Sequence, residues 1–381
     1  MPQPTPQPTT DYYLQIEKLK ASGSTSVAVD GDAVMVGACY DDERGSESGA
    51  VFIFRASHGN DTYVEVTKLT GRDTASYDNF GYSMAKDGST VVVGVPKDSD
   101  GGTSSGAVYV FRTTDGGDSY SQVVKLVASD ASAYDNFGHS VAISGGTIVA
   151  GAIGDDDGGS NSGAAYIFRT SDGGITYTEI NKLTASDAAS GGSFGYAVAI
   201  DGSVVTIGTL SKAVHVFRLD DGGATHVELD KLTGGYSFGR SVAVDGATVV
   251  VGDSDEDGTA GSGAVYIFRP SVGDAYIEVA RLTADDAAGM HRNYFGISVA
   301  ASGNVVVVGA SYALSHMGHT GAVYVFRAVN GDATYARVAT LMADDAVIRF
   351  TRSAGTTAPQ PQAGSTAARN YKPNVFGNWD A

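Results

Sequence analysis

The stretch Gly49-Ala-Val-Phe-Ile-Phe-Arg55 decides the fold, because it recurs with small changes along most of the chain. It returns as Gly-Ala-Val/Ala-Tyr-Val/Ile-Phe-Arg at 106–112, 163–169, 263–269 and 321–327, and as Lys212-Ala-Val-His-Val-Phe-Arg218. Successive copies lie 57, 57, 49, 51 and 58 residues apart. Self-similarity on this scale is typical of architectures that repeat one supersecondary unit. The sequence therefore predicts six repeated units.

Each repeat contains four short strand patterns, which we call A to D. In the second repeat they are Tyr82–Lys86, Thr90–Gly94, Ala107–Phe111 and Tyr120–Leu126. Strands A and B are separated in every repeat by Asp-Gly or Ser-Gly, such as Asp87-Gly88. Gly supplies the positive φ that a two-residue hairpin turn requires. The repeats are therefore predicted to be antiparallel meanders.

Strand B is apolar on both faces, as in Val249–Val251 and Val305–Val308. A sheet with one wet face would alternate, so both faces of these sheets must be covered. Four-stranded units buried on both faces fit blades around an axis, whereas a solenoid would need polar caps at its ends. The expected fold class is all-β, a β-propeller of four-stranded antiparallel blades with six full repeats and the start of an incomplete seventh.

The blade count leaves two interpretations open. A seventh D-like segment, Tyr12–Leu19, precedes the first strand A, and 374–381 resembles the start of a seventh unit. The chain is either six blades with an extra strand or a seven-blade plan whose last unit is nearly missing. The expected divisions are a Pro/Thr-rich linker at 1–10, one propeller domain at 11–345 with repeats near 24–70, 80–127, 137–185, 194–234, 238–284 and 295–343, and a Pro/Ala/Thr-rich tail at 346–381.

Composition excludes several functions. The 25 Lys and Arg residues stand against 43 Asp and Glu residues, and the net charge of −18 repels phosphate backbones and anionic lipid surfaces. No apolar stretch approaches the ~20 residues of a membrane span, so no membrane insertion is expected. Cys39 is the single cysteine and cannot form an intramolecular disulfide. No signal peptide is recognisable at the first residues.

A second landmark, Phe-Gly followed by a small apolar strand, occurs at Phe80, Phe137, Phe194, Phe238 and Phe295. We expect these phenylalanines to form inter-blade core, with the adjacent Gly allowing close blade packing. With the Val-Val-Gly-Ala/Val segment and the Gly-Ala-Val-Tyr-Val-Phe strand in fixed order, the sequence resembles the FG-GAP repeat family, which includes the propeller heads of integrin α subunits. The resemblance implies an integrin-like propeller. Calcium in integrin-type repeats lies at the A–B hairpin, and the short hairpins here indicate a variant that lacks those loops.

Acidic residues concentrate in the B–C and D–A loops, which a propeller places on one face. In the fifth repeat, Asp253, Asp255 and Asp257 are spaced like hard oxygen ligands of Ca²⁺, with Gly258 allowing a sharp turn. The third repeat offers Asp155, Asp156 and Asp157 as a second candidate metal site. The alternative is a solvated turn, since Asp and Gly also favour turns.

Repeats four and six break the pattern. The sixth replaces carboxylates with Ser315-His-Met-Gly-His319, opposite a D–A loop that contains His291. His291, His316 and His319 could ligate Zn²⁺ or Cu²⁺. With Tyr312 they form a candidate binding sector, and His291, His316 and Tyr312 are the candidates for a catalytic site.

The leading functional hypothesis is a non-catalytic binding or cell-adhesion module, extracellular or on the cell surface, that recognises a protein or glycan through its acidic face, with Ca²⁺ as the expected cofactor. An enzyme usually breaks its repeats at one place to build one site, and none of the standard nucleophile, phosphate-loop or Cys-x-x-Cys motifs occurs. The runner-up is a polysaccharide lyase or hydrolase of the propeller type. The third is a structural tile whose incomplete blade another chain completes, with the oligomeric state open.

Overall fold

The computed structural model describes residues 24–57, 62–256, 258, 263–284, 293–315, 318–319, 321–329 and 334–342. The first three sheets are β1(Ser24–Asp30) β2(Ala33–Ala38) β3(Ala50–Ala56) β4(Tyr63–Leu69), then β5(Ser83–Asp87) β6(Thr90–Val95) β7(Ala107–Arg112) β8(Ser121–Leu126), and β9(Phe137–Ser144) β10(Thr147–Ala152) β11(Ala164–Arg169) β12(Thr178–Leu183). The last three are β13(Ala197–Asp201) β14(Val204–Gly208) β15(Ala213–Asp220) β16(Thr225–Thr233), then β17(Phe238–Asp245) β18(Thr248–Asp253) β19(Ala264–Pro270) β20(Tyr276–Leu282), and β21(Phe295–Ser302) β22(Val305–Ala310) β25(Ala322–Val329) β26(Thr334–Leu341).

These sheets are the six predicted four-stranded blades, set in a ring, and each is an antiparallel meander in sequence order. We number the blades one to six along the chain. Blade six carries an additional two-residue hairpin, β23(Leu314–Ser315) and β24(Gly318–His319), and a 3-10 turn spans Asp221–Gly223. No helix among the described residues has the length and apolar character needed to cross a bilayer.

The doubly apolar strand B is buried along its whole length in blades two and three, β6 and β10. Consecutive blades pack face to face through side chains of strands B and C. The landmark phenylalanines lie between the blades and are no more than 1% exposed. Phe137, for example, packs edge-on against Tyr166 with ring centroids 5.5 Å apart. The prediction that these residues form inter-blade core is confirmed.

The A–B hairpins are two-residue turns, as predicted, but their central residues lie one position later than expected. Asp87 pairs with Thr90, so the turn residues are Gly88 and Ser89. The Gly has φ +53° while the Ser is not in the positive-φ region, as in a type II′ turn. The Asp closes strand A instead, and its Oδ2 accepts a hydrogen bond of 2.7 Å from the Gly145 amide of the next blade. Asp-Gly thus serves both the turn and the inter-blade contact.

The 1–10 linker, the Tyr12–Leu19 segment and the 346–381 tail lie outside the described residues. All six blades draw their four strands from their own repeat. The D-like segment before blade one is therefore not needed to complete any of them.

Candidate functional site

The B–C and D–A loops interleave on one face of the ring, which we call the loop face. The Tyr77 amide donates to the Ser46 carbonyl at 2.7 Å, and the Tyr134 amide donates to the Thr103 carbonyl at 2.8 Å. Each bond joins the D–A loop that enters one blade to the B–C loop of the blade before it. The predicted grouping of acidic loops on one face is therefore present.

Exposed tyrosines mark this face. Within the part of the chain that the structure describes, every tyrosine among the exposed large hydrophobic residues belongs to a B–C or D–A loop, with exposures from 42% to 63%. They are Tyr40, Tyr77, Tyr134, Tyr236 and Tyr312. A tyrosine presents a flat apolar ring and a polar tip, and the residue is enriched at binding interfaces.

Two of these tyrosines hold a costly backbone conformation. Tyr77 and Tyr134 both have φ +71°, in the left-handed region that bulky residues rarely adopt. Such a conformation costs on the order of 1–3 kcal/mol and persists only where surrounding contacts impose it. Here the amide bonds to the preceding blade, together with the carboxylates of Asp78 and Asp135, which accept from Ala75 and Ser132 at 2.7 Å, hold the loops. The two rings are thereby fixed outward.

Beneath the loops of blade three, three carboxylates converge on one ammonium group. Lys182 Nζ lies 2.7 Å from Asp130, 2.7 Å from Asp155 and 2.6 Å from Asp157. The Tyr166 hydroxyl donates to Asp130 at 2.7 Å and to Asp155 at 2.9 Å. The three acids lie close enough together to hold a metal ion, but their centre is taken by the lysine. We call this arrangement the lysine-centred triad.

Blade two repeats the triad. Lys125 Nζ contacts Asp73, Asp98 and Asp100 at 3.1, 2.7 and 2.5 Å, and the Tyr109 hydroxyl donates to Asp73 and Asp98. Blades one, four and five keep smaller forms in which strand D supplies the cation. These pairs are Lys68 with Asp41 and Glu43, Lys231 with Asp187, and Arg281 with Glu256.

The electrostatics of the triad follow from its burial and hydrogen bonds. Burial disfavours the charged form of Lys182, but the bonds from three carboxylates outweigh it and raise the pKa of the ammonium above its usual value. Burial likewise opposes ionisation of Asp130, yet Lys182 and Tyr166 leave the pKa of that carboxyl below its usual range. Burial and the two adjacent carboxylates raise the pKa of the Tyr166 hydroxyl. Lys182 and Asp130 are therefore ionised at neutral pH, and the Tyr166 phenol stays protonated as a hydrogen-bond donor.

The residues predicted as metal ligands occupy different settings. Asp155 and Asp157 belong to the triad, whereas Asp156 is exposed and accepts the Asn161 amide at 2.7 Å. Asp253 is completely buried at the end of β18 and accepts the Ser237 amide at 2.9 Å, which holds the short D–A loop. Asp255 is half-buried in the B–C loop, and Asp257 lies outside the described residues.

The histidine sector can be followed only in part. Tyr312 is exposed and packs edge-on against Tyr294, with ring centroids 5.3 Å apart. The backbone of His319 belongs to the two-residue strand β24. His291 and His316 lie outside the described residues, so their predicted meeting with His319 stays a prediction.

A cleft on the opposite face, between blades one and two, is lined by charged groups that are already paired. Arg55 bonds Asp32 at 2.8 Å and Asp118 at 2.9 Å, and Lys86 pairs with Asp30. These contacts tie neighbouring hairpin ends together, so we assign this cleft a structural role.

Comparison with known proteins finds a matching protein family. A model described as the FG-GAP repeat matches six segments of the chain, at 24–54, 63–111, 120–168, 177–227, 233–268 and 276–326. No curated protein matches the sequence. Among solved structures, the crystal structure of the computationally designed Ika8 protein is similar over 80% of this chain and 70% of that chain, with 16% identity and a TM-score of 0.48.

Proposed function

The chain belongs to the FG-GAP repeat family, and we propose that it is a non-catalytic binding module that recognises a protein or glycan through its loop face. One observation carries the proposal, namely that the exposed tyrosines of the described residues all lie on this face. Two of them are held outward by strained backbone. Rigid aromatic side chains give contact area at low entropic cost, which suits recognition.

The charge of the loop face limits the classes of partner that fit it. The protein has a net charge of −18, and the loop face holds exposed carboxylates such as Asp42, Asp100 and Asp156 beside the tyrosines. Anionic polysaccharides and nucleic acids are repelled by such a surface, whereas neutral glycans and basic protein segments are not. We therefore propose a neutral glycan or a basic protein surface as the partner class, met outside the cell or at its surface.

A metal is not required by this proposal. In blades two and three a lysine ammonium already occupies the centre of the three carboxylates, so Ca²⁺ would have to displace Lys125 or Lys182. We therefore propose calcium assistance only for the B–C loop of blade five, which contains Asp255. Calorimetric titration of chelator-treated protein with Ca²⁺ tests it, and saturable heat that is lost in Asp255→Ala would support it. No heat in the unsubstituted protein would contradict it.

Recognition by the loop face is tested by a tyrosine double variant. The full chain is tested for binding to three immobilised polysaccharides. They are laminarin, which is neutral, chitosan, which carries amines, and carrageenan, which is sulfated. We expect saturable binding to laminarin or chitosan, and binding at least about ten-fold weaker in Tyr77→Ala/Tyr134→Ala, because central tyrosines are frequent hot spots. The matched control is Val64→Ala, an exposed apolar residue on strand β4 away from the loop face.

Two outcomes would count against the proposal. Equal binding by the double variant and by Val64→Ala would remove the tyrosines from recognition. Release of reducing ends from any of the three polysaccharides would favour a catalytic role instead.

A further inference from the structure

Each Phe-Gly landmark is received by a socket on the blade before it. Between blades three and four, the Ser140 hydroxyl donates to the Gly195 carbonyl at 2.6 Å. A Cβ built on Gly151 would lie 2.0 Å from the same carbonyl, and a Cβ on Gly163 would lie 2.2 Å from the Phe194 carbonyl. The socket therefore consists of a serine on strand A, a glycine on strand B and a glycine before strand C.

The same socket recurs around the ring. In blades one, two and five the serine donates to the next Phe-Gly carbonyl at 2.8–2.9 Å, and a Cβ built on either glycine would lie 2.0–2.2 Å from a Phe-Gly carbonyl oxygen. Blade four keeps the strand-B glycine, Gly208, where a built Cβ would lie 1.9 Å from the Gly239 carbonyl oxygen. The socket residues are Ser26, Gly37 and Gly49 in blade one, Ser83, Gly94 and Gly106 in blade two, and Ser241, Gly252 and Gly263 in blade five.

Blade six has the complete socket but holds no Phe-Gly among the described residues. Its serine and glycines are Ser298, Gly309 and Gly321. The three atoms nearest to a Cβ built on Gly309 all belong to Ser298, and the nearest to a Cβ on Gly321 is the Ser311 carbonyl oxygen at 3.2 Å. Val323, beside the socket, is 37% exposed, whereas its counterpart Val265 in blade five is completely buried.

Blade one does not provide the missing unit. Ser24 pairs with Ala38, where Phe137 pairs with Ala152 in blade three. Within the described residues β1 packs on β2 and β5, but it has no contact of similar extent with β21, the first strand of blade six. Val27 and Val29 of β1 are accordingly 63% and 65% exposed, while the equivalent Val141 and Ile143 are 8% and 9% exposed. The seam between blades six and one thus presents apolar surface on both sides.

The sequence contains one further Phe-Gly. Phe376-Gly377 is preceded by Asn374 and Val375, much as Phe295-Gly296 is preceded by Asn293 and Tyr294. The connection from Leu341 to Phe376 is 35 residues, against 11 from Leu183 to Phe194. Since an extended chain spans about 3.3 Å per residue, this connection is long enough to reach the seam.

We propose that Phe376-Gly377 docks into the blade-six socket. The Gly377 carbonyl then accepts the Ser298 hydroxyl and lies against Gly309, and the Phe376 ring enters the apolar seam beside Val323. The occupant is thus a segment of the same chain. This docking is independent of what the loop face binds.

A double-mutant cycle in the full chain tests the docking. If a carbonyl lies against Gly309, Gly309→Ala creates a backbone clash and lowers the melting temperature, as we also expect of Gly151→Ala in an occupied socket. We expect Phe376→Ser to lower it by about 3 °C or more, through loss of a buried ring. A Cβ on Gly309 also meets the Ser298 hydroxyl, at 2.3 Å, in either background. We therefore expect the Gly309→Ala loss to be clearly smaller in the Phe376→Ser background than in the unsubstituted chain, because only the clash with the docked carbonyl is removed and interacting sites are not additive. Tyr371→Ser, an aromatic loss elsewhere in the tail, should leave the melting temperature unchanged.

A cysteine pair identifies the occupant. Ser298→Cys combined with Gly377→Cys should form a cross-link within one chain under mild oxidation, while Ser298→Cys with Tyr371→Cys should not. A neutral Gly309→Ala would overturn the proposal, because the socket would be empty. An equal Gly309→Ala effect with and without Phe376→Ser would show that Phe376-Gly377 is not the occupant, and cross-linked dimers would indicate a second copy; either result overturns the proposal too.

Discussion

Replacing Lys182 with Met removes the cation of the blade-three triad while keeping a side chain of similar length over Tyr166. The carboxylate of Asp155 is 5% exposed and would lose its counter-ion, and breaking a buried pair costs roughly 3–5 kcal/mol. Asp130 and Asp157 are 45% and 69% exposed, so water screens part of their repulsion. We therefore expect Lys182→Met to lower the free energy of unfolding by about 2–3 kcal/mol at pH 7.5.

The loss should depend on pH and on divalent cations. The folded-state pKa of Asp130 is lowered, so its ionisation stabilises the wild type above the unfolded-state pKa, and this contribution is lost as pH falls. Below about pH 4 the wild-type advantage should shrink, because the carboxylates of both proteins become protonated. The variant should also gain stability in millimolar Ca²⁺, since its three acids lie within 4.8 Å of one another and no longer hold an ammonium.

Urea unfolding at pH 7.5 and pH 3, with and without Ca²⁺, measures all three effects. Lys97→Met is the control, because Lys97 is exposed on the same face. The reasoning would be refuted if Lys182→Met cost no more than Lys97→Met, or if its cost were equal at both pH values.

Three further substitutions test other features. Burial raises the pKa of Asp78 to about 6, so keeping this carboxylate ionised at higher pH destabilises the fold. Asp78→Asn should therefore raise the free energy of unfolding at pH 7.5 by up to about 3 kcal/mol. The gain should vanish near pH 4, where the carboxyl is largely protonated, and urea titration at the two pH values measures this. Gly151→Ala should destabilise by roughly 3 kcal/mol through its clash with a backbone carbonyl. Gly31→Ala has space for a Cβ and should cost only the roughly 1–2 kcal/mol of its positive φ, so equal melting curves for the two variants would contradict this. Tyr166→Phe should cost about 2 kcal/mol by chemical denaturation, because its hydroxyl donates to two carboxylates, and an unchanged midpoint would remove those bonds from the energetics.

Sequence reasoning predicts the fold well because the repeat carries local and long-range information together. The doubly apolar strand B requires cover on both faces, and the structure buries all of β6. Phe137 and Gly138 are predicted as inter-blade core and lie there. The predicted turn residues lie one position too early, because the prediction treats Asp-Gly only as a turn dipeptide. The second role of Asp87, bonding the Gly145 amide, depends on the neighbouring blade.

The site is less accessible to sequence reasoning. Asp155 and Asp157 have the spacing of cation ligands, and a cation is indeed present, but it is the ammonium of Lys182 from strand D. A signal existed, because a basic residue precedes leucine at the same place in five strands D, at Lys68, Lys125, Lys182, Lys231 and Arg281. Exposure is harder to foresee. The place of Tyr109 in the apolar strand C predicts its burial, whereas Tyr134 lies in a D–A loop, and only the fold shows that its ring is exposed.

The internal cations hold the acidic B–C and D–A loops together from within the protein. A bound metal would stiffen acidic loops by gathering their carboxylates, and here a side chain of the same blade does so. The cation also lies over the strand-C aromatic ring in five blades, at 5.0–5.8 Å from the ring centroid. In blade six, where Thr340 stands at the lysine position, Arg337 takes this place over Tyr324. Because this charge is covalently attached, we expect the loops of blades two and three to keep their shape with or without calcium, and Tyr77 and Tyr134 to stay exposed on the loop face.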